Sequence, residues 1–250
     1  MSDAPSVPPS EPPAEPPAET PAQPTARPAP RRARRSRWSD LERAIRASRG
    51  PLIAGIDEVG RGPLAGPVVA CAVVMPPDAR AIAGVDDSKR LTAAERERLE
   101  RLIRRHALAV AVGAASAREI DRLNIYHATV LAMRRALARL ERLLGSAPHH
   151  VILDGKPIRT LGVEHTAVVG GDAKVHAIAC ASIVAKVTRD RLMTALARRR
   201  PGYAWERNAG YATAAHRAGL TALGMTPHHR RSFLVAPQVE LDLEDPTGTE

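Results

Sequence analysis

The fold of this chain is decided by the stretch Leu52-Ile-Ala-Gly-Ile-Asp57-Glu58-Val-Gly60-Arg61-Gly62-Pro-Leu-Ala-Gly66-Pro-Val-Val-Ala-Cys-Ala-Val-Val-Met75. Residues 52–57 and 67–75 are short apolar runs, and their length and composition are typical of buried strands. The Gly-Arg-Gly-Pro segment between them is typical of a turn. The stretch therefore predicts a hairpin whose first strand ends at two acids, Asp57 and Glu58.

Apolar residues on either side of this hairpin recur at helical or strand spacing. An amphipathic helix is expected after Trp38, and Thr92 followed by Glu95 is the capping-box pattern that begins a helix. The further predicted elements are a helix over 92–105, a strand over 107–114, two helices within 116–144, strands over 151–154 and 166–169, and helices over 176–200 and 211–223. This order predicts an α/β fold, a mixed sheet flanked by helices.

The two ends of the chain differ from its middle. Residues 1–30 hold eleven of the 22 prolines, and an Arg-rich run follows, so residues 1–37 are predicted to form a disordered tail. Residues 238–250 are acidic and are expected to fray. Residues 38–237 are then the folded domain, which is large enough for a sizeable core.

Charge follows the same division. Residues 1–26 carry −4, residues 27–37 carry +6 and residues 238–250 carry −5, so that within a total of +10 the folded domain carries +13. A body this basic favours a polyanionic partner such as nucleic acid, although an Arg-rich coding bias would give the same balance.

The sequence also predicts where the protein works. It has no run of about 18 apolar residues and no secretory h-region, so neither a membrane span nor export is expected. Cys71 and Cys180 lie among small apolar residues, which is typical of core positions in a reducing compartment. The expected location is the cytoplasm.

Four acids lie at the end of a predicted strand or just after it, where α/β sheets commonly bind ligands. They are Asp57, Glu58, Asp154 and Asp172. Any one of them alone would be better explained by a helix cap or a surface charge, an explanation that is weakened when four acids share the same position at strand ends. Adjacent strand residues point to opposite faces, so Asp57 and Glu58 can share an ion only if the strand stops there, which Gly60 and Gly62 favour. Oxygen ligands without Cys or His favour Mg²⁺ or Mn²⁺ over zinc.

Two other kinds of site are disfavoured. Residues 60–66 nearly match the dinucleotide-binding fingerprint, but that fingerprint must open a helix, and the residues that follow are typical of a strand. The histidine pairs at 149–150 and 228–229 lack the spacing of a helical zinc site, and each follows a proline, so they are expected in loops and strands.

Six segments, in this order, resemble the blocks of the bacterial ribonuclease HII family. They are residues 55–66 (GIDEVGRGPLAG), 86–89 (DDSK), 153–155 (LDG), 171–174 (GDAK), 181–190 (ASIVAKVTRD) and 210–213 (GYAT). The likeness extends from about residue 41 to residue 235. Ala212 departs from it, because Pro or Gly is expected after the tyrosine.

The resemblance implies a ribonuclease H-like fold with a small helical extension from about residue 200. It implies hydrolysis of the RNA strand of RNA–DNA hybrids, and of ribonucleotides embedded in duplex DNA, to 3′-hydroxyl and 5′-phosphate ends. The four acids match the family's catalytic and metal-binding residues, which hold two divalent ions, Mg²⁺ or Mn²⁺. The protein is expected to act as a monomer.

The resemblance also implies substrate contacts. Gly60, Arg61 and Gly62 match the segment that meets the ribose 2′-hydroxyl, where glycine lets the backbone come close. Tyr211 matches a residue that stacks on the next nucleotide, the alternative being a core aromatic. Positions that contact phosphate are matched by Ser88, Lys89, Ser182 and Lys186, for which a solvated surface role is the alternative.

Two other functions would leave a different pattern. Another two-metal nuclease or strand-transfer enzyme of the same fold would share the acids but would not need the ribose-contacting segment. A non-catalytic module that binds hybrids would be expected to lack at least one acid.

Overall fold

The computed structural model describes residues 39–235 of the chain. The predicted tails, 1–37 and 238–250, lie outside the described residues. The strands are β1 (Ile53–Val59), β2 (Val68–Val74), β3 (Ala109–Ala115), β4 (His150–Asp154) and β5 (His165–Val168). The helices are α1 (Asp40–Arg49), α2 (Ala93–His106), α3 (Ala117–Leu123), α4 (Ile125–Leu144), α5 (His176–Arg199), α6 (Trp205–Asn208), α7 (Ala214–Leu223) and α8 (Arg231–Val235).

The strands form one mixed sheet in the order β3-β2-β1-β4-β5. The pairs β1–β2 and β2–β3 are antiparallel, whereas β4 runs parallel to both β1 and β5. The predicted mixed sheet flanked by helices is thus confirmed. Ile56 pairs with Leu153, so the acids that follow them in β1 and β4 lie at the same edge of the sheet.

One detail of the hairpin prediction is wrong. β1 does not end at the acids but continues to Val59, with Asp57 paired to Cys71 and Glu58 to Ala70. The strand continues because β2 supplies backbone partners along its whole length. It ends at Gly60, whose φ of +88° leaves the extended region. Asp57 and Glu58 are therefore neighbours on a regular strand and project to opposite faces.

Each face of the sheet is covered by one long helix. α4 packs on one face over alternate residues of β1 and β2, and α5 packs on the other. Gly55 makes the second contact possible, since a Cβ there would lie 2.3 Å from the backbone of Ala177. Cys71 and Cys180 are buried and free on the α5 side, which confirms their predicted place in the core. Among residues 39–235, no helix is long and apolar enough to cross a membrane.

The N-terminus of α5 is held by α1. The buried carboxylate of Glu42 accepts hydrogen bonds from the backbone N–H groups of His176, at 3.1 Å, and Ala177, at 2.9 Å. It also completes the capping box of its own helix with Ser39. Val175, the residue preceding α5, offers no capping side chain. The carboxylate of Glu42 therefore supplies the acceptor for two backbone N–H groups in the first turn of α5 and fixes this turn against the sheet.

Candidate active site

The structure places all four predicted acids around one edge of the sheet. Asp57 and Glu58 lie near the end of β1, and Asp154 is the last residue of β4. Asp172 lies in a 3₁₀ turn, Gly171–Ala173, that follows β5. Asp154 reaches this turn by accepting a hydrogen bond of 2.6 Å from the N–H of Gly171.

Asp57 and Glu58 approach this edge from different sides of the sheet. Asp57 is buried beside Ser182 of α5, whose hydroxyl group acts to lower the pKa of this carboxyl. Glu58 lies on the α4 side, where it lines a small cavity together with Asp154 and Lys156. It also pairs with Arg61, whose Nη1 lies 3.6 Å from Glu58 Oε1.

Burial and mutual repulsion raise the pKa of three of these acids. The pKa of Asp57 is well above its usual value because of burial and the charges of Glu58 and Asp154. Burial and Asp154 also raise the pKa of Glu58, against the effect of Arg61. The pKa of Asp172 is raised by burial and by Asp154. The site therefore concentrates negative charge that a divalent cation would relieve.

The donor chemistry of these acids fits a hard cation. Carboxylate oxygens are the ligands that Mg²⁺ and Mn²⁺ prefer, and burial strengthens their attraction for such ions. Within the described part of the chain, no three His, Cys, Asp or Glu side chains are gathered closely enough to hold an ion as they stand. The opposite orientation of Asp57 and Glu58 explains this spread.

The segment Gly60-Arg61-Gly62 follows β1 directly and lies beside Tyr211. A Cβ built on Gly62 would lie 3.8 Å from Tyr211 Cε1. The side chain of Tyr211 is 47% exposed, which argues against a core role for the ring. The structure thus brings together the two features that the resemblance linked to ribose recognition.

The four predicted phosphate-contacting residues have different environments. Ser88 and Ser182 are buried, and their hydroxyl oxygens lie 2.9 Å apart. Lys89 is exposed, and its Nζ lies 3.7 Å from Asp172 Oδ2. Lys186 Nζ donates to Asp190 Oδ1 at 2.7 Å on the same helix. The two serines are therefore hydrogen-bonded to each other in the interior, and Lys89 is the exposed cation that pairs with one of the acids, Asp172.

Sequence reasoning missed two residues that shape this site. Arg189 and Arg230 are fully buried, and each donates to three backbone carbonyls. Arg189 falls within the segment 181–190, and Arg230 falls in none of the six segments that resemble the family. In a chain with 33 arginines, a buried one cannot be told from the others by sequence, because hydrogen bonding to backbone carbonyls leaves no periodic pattern.

Comparison with known proteins identifies the family of this chain. The profile described as Ribonuclease HII matches residues 54–236. Ribonuclease HII of Granulibacter bethesdensis is 51% identical over 211 residues, covering 83% of this chain and 94% of that protein. Ribonuclease HII of Paracoccus denitrificans is 51% identical over 216 residues, covering 85% and 99%.

Solved structures show the same fold. The ribonuclease H2 of Pyrococcus horikoshii OT3 superimposes with a TM-score of 0.59 at 27% identity, over 73% of this chain and 93% of that one. Bst-RNase HIII in complex with Mn²⁺ gives a TM-score of 0.58 at 21% identity, over 73% and 67%, and supports the fold alone. From the profile match and the two close relatives, the chain belongs to the ribonuclease HII family.

Proposed function

We propose that this ribonuclease H cleaves the RNA strand of RNA–DNA hybrids, and ribonucleotides embedded in duplex DNA, at Asp57, Glu58, Asp154 and Asp172. The ribonuclease H activity follows from family membership. One observation carries the assignment to these residues. Three of the four acids have raised pKa values at one sheet edge, and that edge adjoins the segment Gly60-Arg61-Gly62.

The family depends on divalent metal, and we propose that the four acids hold two ions, Mg²⁺ or Mn²⁺. When bound, such ions supply an activated water and stabilise the leaving 3′ oxygen, giving 3′-hydroxyl and 5′-phosphate ends. Asp154 and Asp172 are suited to hold an ion jointly, because the bond from Gly171 to Asp154 fixes their separation. Asp57 accepts a hydrogen bond of 2.7 Å from the N–H of Glu58, which orients its carboxylate.

The neighbouring residues would position the substrate. The backbone of residues 60–62 is proposed to meet the ribose 2′-hydroxyl, which distinguishes RNA from DNA. The exposed ring of Tyr211 would stack on the next nucleotide. The exposed ammonium group of Lys89, beside Asp172, would attract a phosphate of the scissile strand, and Ser88, Ser182 and Lys186 are proposed to line the path of that strand.

We also propose that the protein acts in the cytoplasm, as a monomer, in ribonucleotide removal during DNA replication and repair. The buried, unpaired thiols of Cys71 and Cys180 support a reducing compartment.

The test is cleavage of a DNA duplex that carries a single ribonucleotide, with Mg²⁺, Mn²⁺ or a chelator. We expect a metal-dependent cut at the ribonucleotide that leaves 3′-hydroxyl and 5′-phosphate ends. The control is an all-DNA duplex of the same sequence, which should remain intact. Cleavage of both duplexes would contradict ribose recognition, and cleavage of neither would contradict the proposed substrate.

A further inference from the structure

We propose that Arg230 is a positioning residue that aims the backbone N–H groups of Arg61 and Gly62 at the substrate ribose. This inference deepens the proposed function and rests on it. Its basis is the buried guanidinium of Arg230, which binds the carbonyl groups of Gly60 and Arg61 on the side of the loop that faces the protein interior.

The contacts of Arg230 converge on one loop. Its Nη1 donates to the carbonyl of Arg61 at 2.6 Å, and its Nη2 donates to the carbonyl of Gly60. Its Nε donates to the carbonyl of Gly66 at 3.0 Å. The planar guanidinium thus holds two successive peptide groups at the same time, in a rigid fork geometry that the flexible point charge of lysine lacks.

The geometry of the peptide bond then decides where the N–H groups point. In a trans peptide, the C=O and the N–H of one unit point in opposite directions. The carbonyls of Gly60 and Arg61 point to Arg230, so the N–H groups of Arg61 and Gly62 point away from it. Among residues 39–235, neither N–H donates to a protein acceptor. The result is a pair of adjacent donors that are free to bind a hydroxyl oxygen.

The N–H groups of Arg61 and Gly62 face the position proposed for the ribose. The Cα of Gly62 carries no side chain, and among residues 39–235 the only non-neighbouring atom within 4 Å of its Cβ direction is Tyr211 Cε1, at 3.8 Å. A sugar stacked beside Tyr211 can therefore come close to the backbone at Gly62. The recognition would depend on Arg230, which lies behind the loop and does not touch the substrate.

The position of Arg230 is also fixed by its backbone and by the residues that follow it. Its own N–H donates to the carbonyl of Leu64 at 2.8 Å. The next two residues, Arg231 and Ser232, donate their N–H groups to the carboxylate of Asp121 in α3, at 3.1 and 3.0 Å. Asp121 therefore anchors the start of α8 and, through it, Arg230.

Arg189 provides a matched control. It is equally buried and also donates to three carbonyls, but these belong to Ala65, Pro67 and Ala209 rather than to residues 60–62. Replacing either arginine by lysine removes a buried guanidinium of the same kind. Arg189 packs against Gly60, but of the two changes only that at Arg230 removes the hydrogen bonds to the carbonyls of Gly60 and Arg61.

The experiment measures ribose discrimination within one assay. With Mg²⁺, the KM is measured for a duplex carrying one ribonucleotide, and the KI is measured for the all-DNA duplex of the same sequence acting as a competitor. The ratio KI/KM reports recognition of the 2′-hydroxyl, whereas general damage to the protein alters both constants together.

We expect Arg230→Lys to raise KM about tenfold and to leave KI within about twofold of the wild-type value, so that KI/KM falls. Arg189→Lys should lower the melting temperature about as much as Arg230→Lys does, and it should leave KI/KM at the wild-type value. Asp121→Asn should lower the ratio in the same direction by less, and it tests the inference even if Arg230→Lys does not fold.

An unchanged ratio in Arg230→Lys and Asp121→Asn would overturn the inference, as would an equal rise of KM and KI. A wild-type protein that fails to cut the ribonucleotide duplex would instead overturn the proposed function. The two failures are therefore distinguishable.

Discussion

The carboxylate of Asp154 accepts a hydrogen bond of 2.6 Å from the backbone N–H of Gly171. This bond ties the end of β4 to the turn that carries Asp172, so two acids from separate elements keep a fixed separation. Asp154 also contributes to the raised pKa values of Asp57, Glu58 and Asp172. It is therefore the electrostatic centre of the proposed site.

Removing one of these charges should separate catalysis from folding. We expect Asp57→Asn and Asp154→Asn each to abolish cleavage with a melting temperature no lower than that of the wild type. Asparagine keeps the shape and relieves repulsion, but it leaves a bound cation short of one charged ligand. Cleavage assays and thermal melts check this, and full activity in either variant would contradict the metal assignment.

The two glycines of the ribose-contacting segment should respond differently to alanine. Gly60 has a φ of +88°, and a Cβ there would lie 2.0 Å from Arg189 Nε, so Gly60→Ala should lower stability by about 1–3 kcal/mol. Gly62 has room for a methyl group in the free protein. Gly62→Ala should therefore melt like the wild type and lose kcat/KM, because the methyl group occupies the space the ribose needs. Normal activity in Gly62→Ala would argue against close approach of the backbone.

Glu42 should contribute more to stability than an ordinary capping residue. Its buried carboxylate accepts from the N–H groups of His176 and Ala177 besides capping its own helix. Since hydrogen bonds to charged groups contribute about 1.5–3 kcal/mol, Glu42→Gln should lower the free energy of unfolding by about that amount. Glu95→Gln is the matched control, because Glu95 forms the same capping box at the exposed start of α2. Equal losses in the two variants, measured by urea unfolding, would show that the contact with α5 adds nothing.

Stability should fall in mild acid because of buried histidines. Burial and the neighbouring His216 lower the pKa of His229 to about 4, and burial lowers that of His176 to about 4. Both folded-state values lie below the value of about 6.5 for an unfolded chain, so the unfolded state binds protons first. The free energy of unfolding is therefore highest above about pH 6.5, where these histidines are neutral in both states. It falls as the pH falls towards 4, by up to about 3 kcal/mol per histidine.

Urea unfolding at pH 7 and pH 5 measures this loss. His229→Asn should show a smaller difference between the two pH values than the wild type. His106→Asn, a change at an exposed histidine at the end of α2, should show the wild-type difference. A His229→Asn variant with the full wild-type difference would contradict the assignment.

Local signals in the sequence were sufficient for much of this structure. Thr92 and Glu95 lie three residues apart and form the expected capping box. The predicted end of β1 is wrong because Gly60 predicts a turn but does not show that β2 pairs with β1 through Asp57, Glu58 and Val59. Contacts between distant residues gave no signal: Ser88 and Ser182 are 94 positions apart. The role of Arg230 depends on backbone carbonyls, which no side-chain pattern reveals.

Tyr211 provides the sharpest test of ribose-junction recognition. Its half-exposed ring lies beside Gly62 and outside the buried cluster around Trp205. Tyr211→Phe keeps the ring face and should retain much activity. Tyr211→Ala should lose about 1–3 kcal/mol of stacking, or roughly tenfold to a hundredfold in kcat/KM, with an unchanged melting temperature.

The loss in Tyr211→Ala should be larger for a single embedded ribonucleotide than for a continuous hybrid. With one ribonucleotide the enzyme must bind a single RNA-to-DNA junction, whereas a continuous hybrid offers many registers, so the contribution of any one stacking contact is diluted. Cleavage rates on both substrates, together with the melting temperature of the variant, decide the matter. Equal losses on the two substrates with a lowered melting temperature would mean that the ring supports the fold, because a packing defect weakens the protein without regard to which duplex it binds.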